Sequence, residues 1–528
     1  MIEDFNTYDD GTSVTADICI IGAGAAGITI AKEFLGSRHK IVVLEGGGFD
    51  PDADSQKLFE SEIVGLPHAS IHDGRARVFG GTTTLWGGQA LRFEEFDLQE
   101  RSWVPHSGWP IPLAELEPYY ERAERVLRVG AHISYSDLCS SFGIKPPALD
   151  PSKLYIECSR WSPKPNFGTT YRQELKNTSN VSVLLHANVT SINTNPSATA
   201  IENIEFQTLN GKKGTAKARF YVVCGGGIET ARLLLASNRI DPNGVGNKNG
   251  LVGRYFQEHV HMNLGNLLTK DRAHLQNLFE SFFVRGLKHA PLLTLTQRMQ
   301  VEKQLLSIHG MVVFEPAADS GIAAMKKLFR AAIGGSFSNT TELGRLIGTA
   351  LANPGELFRL AYRLRVQKRA GTPKRGPILF GAQCEMAPNP NCRVTLSEAR
   401  DHFGMPRARL DWSLGELERR TLLEFVKTLA CEFERLGLGS FDLKQAEFLD
   451  DPAAWVERAR DSAHHMGTTR MHETPQHGVV DPQCRVHGIS NLYIGSSSVF
   501  PTSARSNPTL TILALCLRIA NRLKEISS

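Results

Sequence analysis

The sequence predicts a chain of mixed class, α/β in one part and α+β in another. Three observations predict it. Between residues 16 and 45 an isoleucine-rich run, a glycine turn, a helical stretch and a second apolar run ending in an acid follow one another. A second strand–glycine–helix series recurs at 220–237. Between 261 and 459 short strand-like runs alternate with loops and helices. The first two imply a Rossmann-like dinucleotide-binding domain that is discontinuous in sequence. The third implies a second domain built on a mostly antiparallel sheet.

Each element has a physical reason. ADICII (16–21) is a continuous apolar run, as expected of a parallel strand buried on both faces. It enters GAGAAG, where Gly22, Gly24 and Gly27 fit G-x-G-x-x-G. Gly22 permits a tight turn, Gly24 lets backbone approach a pyrophosphate, and Gly27 lets helix and strand pack closely. ITIAKEFLG (28–36) reads as the helix whose N-terminus faces the phosphates. IVVLE (41–45) is the second strand, and Glu45 at its end can accept hydrogen bonds from a ribose diol. FGGTTTLWGGQ (79–89) has the backbone to approach a flat ring and the hydroxyls to bond its edge. VSVLLHANVTSI (181–192) reads as a strand pair, and FYVVCGGGIET (220–230) as a buried strand and glycine turn before a helix through Ser237. GAQCEMA (381–387) and CRVTLSE (392–398) are strand-like runs of the second domain.

Near the C-terminus stands HHMGTTRM (464–471). NLYIGSSS (491–498) follows as a strand running into a loop, and TLTILALCLRIANRL (509–523) as an apolar helix. Pro508 suits the first helical position, with Asn507 before it as a candidate cap. If 463–466 is extended, His464 and His465 point to opposite faces, so only one can serve a given site.

Composition excludes several classes. Hydrophobic content of 41% and charged content of 22% fit a folded globular chain, and a net charge of +4 over 528 residues calls for no nucleic acid. No apolar run approaches the ~18 residues that span a bilayer. The acidic start, MIEDFNTYDD, lacks a secretory apolar core. Nine scattered cysteines form no C-x-x-C pair, so no zinc site and no metal is expected, and reduced, packed thiols in a cytoplasmic protein are. The stretch 355–375 carries seven Lys/Arg on a partly amphipathic helix. A basic amphipathic helix can lie on a membrane or an acidic partner, and a solvated face or a subunit contact in a homo-oligomer is the plainer expectation.

The glycine turn with Glu45, GGTTTLWGGQ, VVCGGGIETARLLLAS (222–237), VGRYFQEH (252–259), EMAPNPNCRVTLSEARDHFGMPRARLDW (385–412) and the closing block together resemble the glucose–methanol–choline (GMC) oxidoreductases, from about residue 16 to 524. The nearest likeness is to the pyranose-oxidase-like bacterial branch. The resemblance implies FAD as cofactor. It implies a discontinuous FAD-binding domain over 1–108, 170–260 and 460–528, and a substrate-binding domain with lid or arm segments over 109–169 and 261–459. It implies flavin contacts at Ala26, Gly81, Thr82, Leu85, Trp86 and Gly87, and at Val189, Gly495, Ser496, Pro508 and Thr509. Relatives that attach flavin covalently do so through a histidine where this chain has Leu85, so the implied FAD is non-covalent. H-x-x-G-T selects His464 as the catalytic base, and the second catalytic position is Asn507. The implied reaction oxidises an alcohol by proton transfer to His464 and hydride transfer to flavin N5. A ring secondary alcohol of a sugar, glycoside or cyclitol is the first choice, and a primary alcohol of an amino-sugar natural product the second. A lyase on the same fold, with flavin bound but not reduced, is a different class that sequence leaves open. The electron acceptor, whether oxygen, a quinone or a redox partner, is open as well.

Overall fold

The computed structural model describes residues 1–334, 340–442, 447–451 and 453–527. The expected domain segments 261–459 and 460–528 therefore include short stretches outside the described residues.

One eight-stranded sheet runs in the order Ile2–Asp4, Val181–Leu185, Ile41–Leu44, Thr12–Ile21, Lys213–Val223, Ile201–Gln207, Asn188–Thr194, with Leu492–Ile494 also paired to Lys213–Val223. The pairings among the first five, and with Leu492–Ile494, are parallel. Thr12–Ile21 sits at the centre, and its last four residues are buried between neighbours on both sides. It begins four residues before the apolar run. Its outer half, Thr-Ser-Val-Thr, alternates in exposure and pairs with Gly214–Lys217, a half-exposed ladder that leaves no continuous apolar signal.

The following helix is Ala25–Glu33, earlier than the expected 28–36, because the alanines and Gly27 already lie in its first turn. Gly22 has φ of +100°, the left-handed turn that glycine adopts at low cost. A Cβ on Gly27 would stand 1.9 Å from the Gly22 carbonyl oxygen, so only glycine lets the helix start this close to the strand.

The second large sheet takes strands from elsewhere in the chain: Ser440–Phe441, Val260–Leu268, Ile378–Cys384, Ile308–Phe314, Leu287–Leu295, Leu154–Trp161 and Gln89–Ala90, with Phe282–Val284 beside Leu287–Leu295. Every pairing in it is antiparallel. The helix Glu416–Arg435 buries Phe425, Leu429 and Phe433 against it, where Phe433 and Phe380 both meet Phe441 edge-on. A small sheet of Glu62–Gly65, Arg393–Arg400 and Pro406–Trp412 completes the fold. The mixed α/β and α+β class read from the sequence is the observed one.

The closing helix, Thr509–Ile526, buries its apolar face in the first core and packs on Leu113–Leu127. Tyr120 Oη meets Thr511 Oγ1 at 2.8 Å, Arg122 donates to Asn521 Oδ1 at 3.1 Å, and Arg518 pairs with Glu115. No helix among the described residues is long and apolar enough to cross a membrane. All nine cysteines are free thiols, eight of them buried.

Candidate active site

A cavity of about 840 Å³ opens where the parallel sheet, the 79–89 stretch and the second sheet meet. That is large for a small-molecule site and suits a dinucleotide with room beside it. Gly22, Gly24, Ala26 and Glu45 line it, as do Gly81, Thr82, Leu85, Trp86 and Gly87. Val189, Ser496, Pro508 and Thr509 line it too, and so do His464 and Asn507. Gly27 and Gly495 do not reach it. Gly27 fits the helix to the strand, and a Cβ on Gly495 would lie 3.2 Å from the sulfurs of Cys224 and Cys516, a packing constraint inside the core.

At the glycine end the wall is backbone. Gly80 N–H donates to Ala23 O at 2.8 Å and pins the second glycine stretch to the first. A Cβ on Gly81 would stand 2.9 Å from Gly24 Cα. Glu45 is buried, and its two oxygens accept from Ala23 N–H and Gly47 N–H, both at 2.8 Å. Burial pushes its carboxyl pKa up against those bonds. Arg77 donates to Asn188 Oδ1 at 2.7 Å, while its Nε is buried without a partner. Nearby, Glu229 pairs with Arg75 at 2.8 Å and Arg232 at 3.1 Å; burial alone would raise its pKa, but these arginines hold it at about 2.

At the other end the wall is side chains from three distant stretches. Gln257 and Met466 exchange backbone hydrogen bonds as an antiparallel bridge, which sets His259 across from His464. His259 Nε2 faces two carbonyl oxygens, Ala504 O at 2.8 Å and Ser503 O at 3.1 Å, so it carries the proton. Burial lowers the pKa of His259, which keeps the ring neutral, so its Nδ1 is an acceptor. His464 Nδ1 lies 2.8 Å from it and must donate. The consequence is a fixed tautomer: His464 Nε2 bears a lone pair, and it sits 3.4 Å from Asn507 Nδ2. Burial first, then His259 and His309, hold the His464 pKa well below its usual value. Glu258 Oε1 and Oε2 accept from the His464 backbone N–H at 2.8 and 2.9 Å. Ala463, directly before His464, has φ of +59°, and Ala504 has φ of +50°. Both are strained left-handed alanines flanking the pair.

His465 turns away from Asn507, although the segment is not extended throughout, contrary to the sequence expectation: Ala463 is left-handed. Its Nε2 is 3.3 Å from Ser70 Oγ and 3.8 Å from Glu258. Asn507 does not cap the closing helix: the residue at the cap position is Pro508, with no side-chain cap bond. The amide oxygen of Asn507 is buried without a partner. Cap and substrate therefore do not compete for it.

Sequence reasoning passed over several residues here. Glu258 and His259 stand in the quoted VGRYFQEH without a role. A carboxylate–histidine pair in a buried run was their only signal. His261 and Gln383 are cross-strand partners on the second sheet and line the cavity, as does Trp161, whose indole N–H is buried and unpartnered. No local motif marks them. The fit to a dinucleotide carrying a polar ring is therefore physical: glycine contacts that a Cβ would fill, and orphaned polar atoms on Arg77, Trp161 and Asn507.

The GMC oxidoreductase family model matches residues 388–516, which include the His464 and Asn507 stretches. The C-terminal part of the chain therefore carries a GMC oxidoreductase domain. The chain is 23% identical to a 2-methyl-1,2-propanediol dehydrogenase of Mycolicibacterium austroafricanum, over 97% of this chain and 96% of that one. It is 24% identical to a 6'''-hydroxyparomomycin C oxidase of Streptomyces lividus, over 96% and 91%. Its fold matches a formate oxidase of Aspergillus oryzae RIB40, studied for FAD modification, with a TM-score of 0.55, 16% identity and coverage of 98% and 99%. The likeness to the GMC oxidoreductases and the oxidoreductase class read from the sequence hold.

Proposed function

We propose that this protein is a GMC oxidoreductase that oxidises an alcohol of a polyol, glycoside or cyclitol to a carbonyl, with non-covalently held FAD as cofactor. When bound, the flavin supplies the hydride acceptor. Gly22, Gly24 and the helix start at Ala25 would receive its pyrophosphate, and Glu45 its ribose. Leu85, at the position that carries the linking histidine in covalent relatives, is 55% exposed and can form no such bond. Acid-precipitated protein is therefore expected to release its yellow colour to the supernatant.

The observation that carries the reading is the 2.8 Å contact between His464 Nδ1 and His259 Nδ1, from which the tautomer of His464 follows. With its Nδ1 proton held by His259, its Nε2 lone pair is available to accept a substrate hydroxyl proton. Asn507 Nδ2 can donate to the same substrate oxygen as negative charge grows on it. Gln383 and His261 supply donors and acceptors for further hydroxyls, as a polyol requires. The relatives named as a propanediol dehydrogenase and a hydroxyparomomycin oxidase both support an alcohol substrate.

The test is anaerobic mixing with a panel of sugars, glycosides and cyclitols, read as bleaching of the flavin band. His464→Ala is expected to keep its flavin and lose ~10²–10⁴-fold in the reductive rate. An unchanged rate would remove His464 from the chemistry. Turnover of a substrate without any bleaching would favour a lyase.

A further inference from the structure

We infer that the helix Pro354–Arg365, within the basic stretch 321–375 of the sequence, docks this protein onto an anionic lipid surface, lying in the membrane interface without crossing it. This inference is independent of the proposed chemistry.

The first observation is apolar exposure. Fourteen large hydrophobic residues are exposed among the described residues, and seven of them fall between Met325 and Val366. Phe358 is 75% exposed, Leu351 73% and Val366 61%. Side chains this exposed protrude from the surface and line no groove. Phe358, Tyr362 and Val366 follow at i, i+4 and i+8, one stripe along the helix Pro354–Arg365 and its C-cap, while Leu351 is exposed near the end of the preceding helix, Thr340–Ala352. Other residues of the helix face the protein: Leu360 is in contact with Gly371, and Arg363 pairs with Glu280. A contiguous exposed apolar stripe of this kind marks an interaction surface.

The second observation is charge. Residues 321–375 hold eleven Lys/Arg against two Glu, a net of +9, so the rest of the chain, with 48 Lys/Arg and 53 Asp/Glu, carries a net of −5. Within the segment Arg369 is buried and donates to the carbonyls of Gln276, Asn277 and Glu280. Arg345, Arg365, Lys368 and Lys374 are exposed. An anionic surface would attract this segment and repel the body of the protein, which selects one orientation. Protruding apolar side chains flanked by cations match a deformable layer of anionic headgroups over hydrocarbon better than a rigid protein face.

The test uses the full-length holoprotein in flotation with vesicles of phosphatidylcholine alone and of phosphatidylcholine with phosphatidylglycerol. Binding is expected to the second only, and to weaken as salt is raised. R365Q, K368Q and K374Q should each lower the partition on the order of fivefold. F358S/Y362S/V366S should lower it ~10-fold or more, because apolar area is no longer withdrawn from water. Flavin content and Tm should hold in all of them, since the side chains are exposed. The inference is overturned if nothing floats with anionic vesicles at low salt, or if the apolar triple variant floats as well as the parent. It is also overturned if the triple variant abolishes self-association of a protein that never binds vesicles, which would assign the stripe to a second copy.

Discussion

The two ends of the cavity are built by opposite means. The glycine end is assembled from neighbours in sequence: Gly22, Gly24, Ala26 and Gly27 sit in one turn, and Glu45 follows one strand later. Its surface is backbone, and its demand is that side chains be absent. The histidine end is assembled from residues 257–261, 463–466 and 503–507, and its surface is a chain of directional hydrogen bonds ending at one lone pair. The first end needs space, and the second needs a proton in the right place. Substitutions should therefore fail differently at the two ends, and that difference can be measured.

The largest effect is expected at the glycine end. Gly27→Val puts branched carbon where a Cβ already stands 1.9 Å from the Gly22 oxygen, so helix and strand must part. Overpacking typically costs ~1–3 kcal/mol, and backbone cannot yield as a side chain does. The protein should purify without flavin, or not fold. Retention of full flavin content would show that the two ends are not built as differently as this contrast holds. His464→Ala, by comparison, should leave flavin content intact and remove rate alone.

A smaller effect is expected one residue back from the chemistry. His259→Leu leaves His464 Nδ1 without its acceptor, so the tautomer is no longer held. Loss of a buried hydrogen bond costs ~1–3 kcal/mol, which is roughly 5- to 150-fold in rate. A change in packing alone would leave the shape of the pH–rate profile untouched. His259→Leu should alter it, and His259→Gln, whose amide oxygen can accept the same proton, should restore part of it.

The same contrast explains what was legible beforehand. Gly22, Gly24 and Glu45 were legible as lining residues of the cavity because the proposed phosphate cradle is local: glycine spacing, strand and helix are all written in about thirty residues. His464 and Asn507 were legible only through the likeness of H-x-x-G-T and N-P-T to a family pattern. His259, which fixes the proton, was not, because its partnership depends on an antiparallel bridge between 257 and 466 that no local pattern encodes. The cap expected at Asn507 failed for a similar reason: Pro508 takes the cap position, and the amide instead turns toward His464. The basic helix showed its charge in sequence, while the exposure of Phe358 and Leu351 depends on what the rest of the fold leaves uncovered.

The finest separation of the two ends comes from pH. His464 must be neutral to accept a proton, and burial together with His259 and His309 lowers its pKa well below the ordinary 6.5. kcat/KM should therefore stay level through neutrality and decline only below pH 6.5. Stability has the same sign: His259, His309, His464 and His465 are all lowered in the folded state, so the unfolded chain binds more protons below 6.5 and Tm should fall as pH drops there. Asn507→Asp sharpens the point. A carboxylate 3.4 Å from His464 Nε2 favours the imidazolium, so the acid limb should move up toward neutral pH while flavin content is unchanged. A limb that stays put in Asn507→Asp would mean that the residue titrating in the profile is not the one facing Asn507, and the lone pair assigned to His464 would lose its role.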